Sequence, residues 1–528
     1  MKKATKFLTL ALCAALSVSA FSACAQKDDT IVPFEPEVID NENDKLSGSI
    51  NIRVWDGGYG VNWLDQVIVA FNAKYPDVKI GVSDSVERQQ VFGDITGKSE
   101  KYDIIFSEAN VAEYSEECLT QIDDLYAYTT KGESRSVSEK LNPVYTELLK
   151  YKGHYYQIPS YVGAYGFVYN NDYISDDEVP VTTDEMIALC KTLKSTMGGA
   201  GDPIIFSGEA GVNYWSFAYC TWFAQYEGKT AYRAALNGSI IDENGEKKID
   251  PSSAYLTGGL KSMQVCEDLL WYDNGYINTQ STGLQFITSQ RDFLKGKAAM
   301  MYNGSWMFNE MQTMFPDGPD YDFKMMKVPV ISSIKEKCST IETDAELAAL
   351  IRAIDNGETA LQGTGYEVNE ADFAKVKEAR SFYYAGGENA TGVIPVNARN
   401  KELAKRFLAF MYSDEGVRAH ASAHAGNVLP VQGVDFGTAL DTDDVFLASA
   451  YEIMGTKDVF FNDPVKAIDP YCIDDKQGSI EKQFGSQSPS DRVRAVASYN
   501  AKKSLWTADD NSKFWKELIS KGVIAERP

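Results

Sequence analysis

Gly296-Lys297-Ala298-Ala299-Met300-Met301-Tyr302-Asn303-Gly304-Ser305-Trp306 is the stretch on which the fold turns. Residues 298–302 are a short apolar run bounded by glycines, the pattern of a strand buried on both faces of a parallel sheet. Asn303-Gly304 then breaks the strand, and Ser305 is placed to cap a helix that carries Trp306 and Met307 and stops at Pro316. A tryptophan is thereby expected at the carboxyl end of a buried strand. In open α/β sheets ligands bind at that end, where the strand-to-helix loops leave a crevice lined by backbone donors. An indole offers it a broad apolar face at low conformational cost, suited to the C–H face of a sugar ring. The same position would also let Trp306 pack between helix and sheet, and this stretch alone leaves both readings open.

The chain before it is built from units of the same kind. Residues 48–55 alternate and are rich in Ile and Val, a first strand that runs into Asp56-Gly57-Gly58-Tyr59-Gly60. From Trp63 the apolar residues Leu64, Val67, Ile68 and Phe71 keep a helical period, Tyr75-Pro76 ends it, and residues 78–82 read as the next strand. Strand, glycine loop, helix and strand in this order predict a doubly wound α/β sheet. Asp103-Ile104-Ile105-Phe106 is a further buried strand, and Glu108 follows at its carboxyl end. Neither G-x-G-x-x-G nor G-x-x-x-x-G-K-[ST] occurs in these loops, so a nucleotide site is not expected.

These landmarks resemble, in order, the extracellular solute-binding proteins of ABC importers, in particular the carbohydrate binders related to maltose-binding protein. The resemblance rests on W-D-G-G-Y-G from Trp55, D-I-I-F from Asp103, L-T-Q-I-D-D-L from Leu119, Y-K-G-H-Y-Y-Q-I-P from Tyr151, and G-K-A-A-M-x-x-x-G-x-W from Gly296. It implies two doubly wound α/β lobes of the type II periplasmic-binding-protein kind, joined by a hinge of two or three segments with a ligand cleft between them. Y-V-G-A-Y-G-F-V-Y-N from Tyr161 looks like the first crossing, G-V-I-P-V-N from Gly392 the second, and residues 427–430 a third. Lobe 1 would then hold residues 47–161 and 393–430, and lobe 2 residues 162–392 and 431–528. Carried over by position, the ligand contacts would be Asp56, Gly58, Tyr59 and Glu108 on one side, Tyr161 on the cleft floor with Tyr165, and Tyr214 and Trp306 on the other. The chain exceeds the family's usual size, chiefly within residues 230–390.

Residues 1–23 read as a targeting segment: Lys2, Lys3 and Lys6 precede an apolar run over residues 7–20, too short for the roughly 20 residues that span a bilayer. Phe21-Ser22-Ala23-Cys24 resembles a bacterial lipobox, which makes Cys24 the lipidated residue and the lipid the expected link to the extracytoplasmic face of the cell membrane. Residues 24–46, acidic and poor in large apolar groups, are expected to be a flexible tether with a span of about 25 Å. The formal charge of −24 argues against nucleic acid as a partner. Six further cysteines are dispersed without a C-x-x-C, so neither a zinc site nor a disulfide framework is suggested. Residues 240–249 read as a hairpin turning at Asn244-Gly245; the spacing of a calcium loop is absent.

An enzyme acting on glycans is the rival from another class. Carboxylate pairs are plentiful among 75 acidic residues, but no G-x-S-x-G is present and only His154, His420 and His424 could serve as bases or ligands. His420 and His424 are spaced as a metal pair without the glutamate of H-E-x-x-H, and their place before Gly426 suits a charged imidazole at a helix end. The expectation is therefore a binding protein with no cofactor and no metal. It would act as a monomer, with a carbohydrate ligand and ABC permease subunits as partners. Peptide or another polar metabolite remains the alternative cargo.

Overall fold

The computed structural model describes residues 30–108, 114–209, 212–316, 321–358, 367–386, 390–455, 459–460, 479–507 and 512–520. The targeting segment, Cys24 and Cys472 lie outside them, as does the Gly-rich stretch at residues 363–365.

Two six-stranded sheets organise the chain. The first takes β1 (Val38–Asp40), β2 (Lys45–Trp55), β3 (Val78–Ser85), β4 (Ile104–Glu108), β5 (Gln157–Pro159) and later β11. β2 runs parallel to both β3 and β4, with helix α1 (Asn62–Lys74) between β2 and β3 and α2 (Arg88–Thr96) between β3 and β4. α1 forms because Trp63, Leu64, Val67 and Phe71 fall on one face, and all four are fully buried. The second sheet takes β6 (Gly163–Asn170), β7 (Asp202–Ile204), β8 (Ala298–Gly304), β9 (Phe323–Met326), β10 (Tyr383–Gly386) and β12 (Val459–Phe460). β11 (Ala390–Val393) returns to the first sheet, antiparallel between β4 and β5.

The chain thus crosses from the first sheet to the second between β5 and β6, and back between β10 and β11. A third connection lies alongside, where Val162 and Val428 exchange backbone hydrogen bonds. β11 pairs from Ala390, three residues before the boundary expected at 393. Helices α3 (Trp215–Glu227) and α4 (Phe286–Leu294) pack with the second sheet, and α5 (Met307–Met314) follows β8; α6 (Lys401–Met411) packs with the first, and α7 (Asp414–Ala421) packs on α1 and α6; α8 (Ile480–Gly485) packs on α3 from the C-terminal part.

Several sequence expectations change. β8 is not in an all-parallel sheet: it is parallel to β7 but antiparallel to β6, and it continues through Asn303 and Gly304. Ser305 does not cap α5, whose N-cap is Trp306, because its hydroxyl accepts a hydrogen bond from the Ala164 amide at 3.0 Å instead. The described part of the expected tether is bound along the first sheet. Asn51, Ser49 and Asn400 side chains accept the backbone N–H groups of Val32, Glu35 and Glu37 at 2.9, 2.7 and 3.1 Å, partners that the segment's own composition does not reveal. The hairpin's loop is five residues rather than two: Ile241 pairs with Lys247, and the Asp242 carboxylate accepts the Asn244 and Glu246 amides. His420 is not a charged helix-end group. It is buried against Trp63, donates from Nε2 to the Ser160 carbonyl at 3.2 Å, and burial pushes it down to about 3. Cys118, Cys190, Cys220, Cys266 and Cys338 are all free thiols.

Candidate functional site

Residues at the strand ends and following loops of both sheets line an open cleft of about 500 Å³. From the first lobe, β2 delivers Trp55 and the loop that follows. Gly60 adopts a left-handed φ of 63° and closes a turn onto the Gly57 carbonyl at 2.9 Å. Gly57 and Gly58 are required by close approach: a Cβ on Gly57 would meet the Trp55 ring at 2.4 Å, and one on Gly58 would lie 2.9 Å from Cδ1 of Trp306. Tyr59, buried beneath the loop, packs edge-on to Tyr161 and Trp306 at 5.0 and 5.8 Å between centroids.

Glu108 ends β4. Its Oε1 accepts the Tyr161 hydroxyl at 2.9 Å, and its backbone carbonyl accepts the Arg88 guanidinium, which also lies over the Trp55 ring at 5.6 Å. Burial raises the Glu108 carboxyl above the ordinary range, while the Tyr161 hydroxyl and the Arg88 charge pull the other way.

From the second lobe, Trp306 stands at the end of β8, against Tyr165 of β6 at 4.6 Å and Tyr214 at 5.7 Å. Tyr214 is the N-cap residue of α3, and its position is fixed from outside the helix: Glu481 of α8 accepts the Trp215 amide at 2.9 Å. Glu310, one turn into α5, faces the cleft and accepts Nε2 of Gln290 at 2.7 Å; burial pushes its carboxyl up to about 7. Behind this wall is a small cavity, with room for one water, lined by Glu481 and Gln290, whose Oε2 and Oε1 have no hydrogen-bond partner among the described residues.

Of the residues expected at the site, Gly58, Tyr59, Glu108, Tyr214 and Trp306 line the cleft together. Tyr161 stands behind it, holding Glu108, and Asp56 is not part of the lining. Trp215 is fully buried against Phe167, which makes Tyr214 the cleft residue of that pair. Sequence reasoning missed Trp55, Arg88, Phe286 and Glu310. The last was within reach, since position 310 is four residues after Trp306 and on the same helical face. Among the described residues no cluster of three or more metal-ligating side chains occurs, and no helix is long and apolar enough to cross a membrane.

The family profile described as bacterial extracellular solute-binding protein matches residues 57–418. The chain belongs to that family. This solute-binding protein is 26% identical over 207 residues to a maltotriose-binding protein of Pyrococcus abyssi, a match that covers 39% of this chain and only 36% of that relative. Its fold resembles that of a family 1 extracellular solute-binding protein from Bifidobacterium longum subsp. infantis, with a TM-score of 0.53 at 16% identity, over 87% of this chain and 99% of the other.

Proposed function

We propose that this solute-binding protein captures a sugar or oligosaccharide between its two lobes and hands it, unaltered, to the permease of an ABC importer. It would be held at the membrane as a monomer by a lipid on Cys24. Lobe 1 would comprise residues 47–161 and 393–430, joined by the bound segment from residue 30 and by the start of β11, and lobe 2 residues 162–392 and 431–528 apart from that start.

The observation that carries the reading is the pairing of rings with carboxyls across one cleft. Trp306, Tyr165 and Tyr214 come from one lobe, Tyr59 and Trp55 from the other, with Glu108 and Glu310 beside them. Ring faces suit the C–H faces of a pyranose, and carboxylates suit its hydroxyls. Trp306 and Tyr214 would stack on the sugar, Glu108 would accept hydroxyls with Tyr161 fixing its rotamer, and the Asp56–Gly58 turn would approach by backbone. Lobe closure would bury the ligand from both sides and present the permease with a surface that the open form lacks. The maltotriose-binding relative points the same way.

Calorimetry of the delipidated protein against neutral oligosaccharides and peptides tests this. Saccharide binding quenched by Trp306→Ala is expected. Binding of peptides alone would overturn the sugar reading and leave the fold untouched. Release of reducing ends over hours, lost on changing Glu108 or Glu310, would replace it with an enzyme.

A further inference from the structure

Two carboxyls line the cleft, and one of them, Glu310, has no part in the hydroxyl contacts assigned above. Glu310 and Glu108 both line the cavity, and among the described residues neither carboxylate is in an ion pair with a lysine or arginine, although the Arg88 charge acts on Glu108. Each has a single neutral donor, Gln290 for one and Tyr161 for the other. Glu209, whose Oε2 accepts the Phe286 amide at 2.9 Å, is not part of the lining, but after burial its charge acts with those of Glu310 and Glu108 on the Tyr214 hydroxyl. The cavity wall also holds Arg88, which donates to the Glu108 carbonyl, lies over the Trp55 face and acts by its charge on Glu108, so that among the described residues Glu310 is the lining carboxyl with no cation acting on it.

Closing two lobes over such a wall removes water from the carboxylates. A buried carboxylate must then be protonated or meet a positive charge, because its desolvation costs far more than a neutral hydrogen bond returns. Aromatic rings around the same space add a second attraction for a cation, since a positively charged nitrogen is drawn to the faces of Trp and Tyr. The rings ask for a flat apolar face and the carboxylates for a positive charge, and one chemical class supplies both.

We infer that the ligand is an amino sugar with a free ammonium group, seated with its pyranose on Trp306 and its nitrogen toward Glu310. This rests on the saccharide reading above and narrows it. Glu310 is the specificity-determining group: beside a neutral sugar it keeps the proton that burial already favours, while an ammonium ion takes the proton's place.

The test compares three ligands of one length by calorimetry at pH 6: the glucosamine trimer, its fully N-acetylated form, and maltotriose. The glucosamine trimer is expected to bind at least tenfold more tightly than either neutral trimer, and the preference to shrink at high salt. Glu310→Gln keeps an acceptor for Gln290 and is expected to cut glucosamine-trimer affinity at least tenfold while changing maltotriose affinity less than threefold. Equal or tighter binding of the neutral trimers by the wild-type protein, which needs no variant to fold, overturns the inference and leaves the saccharide reading standing. Binding of no trimer at all overturns both.

Discussion

The indole of Trp306 lies so close to Gly304 that a methyl group placed on that glycine would sit 1.7 Å from ring carbon Cζ3. β8 therefore ends in a residue without a side chain because the ring of the residue two places on folds back over it. Gly304→Ala is expected to push the indole out of its packing with Tyr165 and Tyr214, weakening saccharide binding tenfold or more and shifting tryptophan fluorescence. The stability cost should be about 1–3 kcal/mol, as for other over-packed buried positions. Affinity within twofold of wild type would show that the ring is not held by this contact.

The hinge brings three chain segments onto Ser305. Its hydroxyl takes the Ala164 amide and lies 3.3 Å from the Tyr59 hydroxyl, and a Cβ on Gly426, whose φ is 74°, would meet the Ser305 carbonyl at 2.4 Å. A Cβ on Gly163 would be 1.8 Å from the Tyr59 hydroxyl and 2.5 Å from Oγ of Ser305. Gly163→Ala is therefore expected to destabilise the protein and weaken ligand binding, and Tyr59→Phe in the same chain to restore part of the stability by removing the hydroxyl. Denaturant melts of both singles and the double measure the coupling. Simple additivity would mean that the two lobes meet differently at this point.

Two buried groups give stability an opposing pH dependence. His420 is neutral when folded and pushed down to about 3, so the unfolded chain binds the extra proton between pH 3 and 6.5. Its contribution is complete above 6.5 and is lost as pH falls, at up to about 1.4 kcal/mol per unit. Glu481 is pushed up to about 7 from 4.5, so the folded chain holds the extra proton, and its burden grows as pH rises from 4.5 to 7. Glu481→Gln keeps the acceptor for the Trp215 amide and turns a donor toward the cavity it shares with Gln290. Relative to wild type it should be near neutral at pH 4.5 and more stable at pH 8 by an amount on the order of 3 kcal/mol. Urea melts at the two pH values decide it; a gain equal at both would remove the charge of Glu481 as the cause.

What the sequence disclosed and what it hid divide along physical lines. The period of α1, the apolar run of β8 and the position of Trp306 after it are local patterns, and the fold follows from them. Glu310 was concealed only by attention to the tryptophan four residues earlier. Arg88 reaches the cleft from α2 with no local pattern to mark it, because its role depends on the Trp55 ring and the Glu108 carbonyl, 33 and 20 positions away by number. The antiparallel pairing of β6 with β8 spans more than 130 residues, beyond any periodicity, and so the second sheet could be placed but not its strand directions.

The segment read as a tether shows the same limit, and Asn400 is what holds it. This buried side chain donates to the Ser49 and Glu35 carbonyls at 2.6 and 2.7 Å and accepts the Glu37 amide at 3.1 Å, while the residue's backbone N–H donates to the Asp103 carboxylate. It joins the N-terminal segment, β2 and the start of α6 at one point. Asn400→Ala strands a buried carbonyl and an amide, and is expected to cost about 2–4 kcal/mol. Residues 30–44 should become the first site of limited proteolysis, since Asn400 is the buried side chain bonded to both Glu35 and Glu37, and the segment's other side-chain bonds are part-buried or exposed. A chain shortened to begin at residue 45 separates this role from a general one: there the same substitution should cost roughly half as much, because the bonds to Glu35 and Glu37 are already gone. An undiminished cost in the shortened chain would mean that Asn400 serves the first sheet alone and that the segment is held by its other contacts.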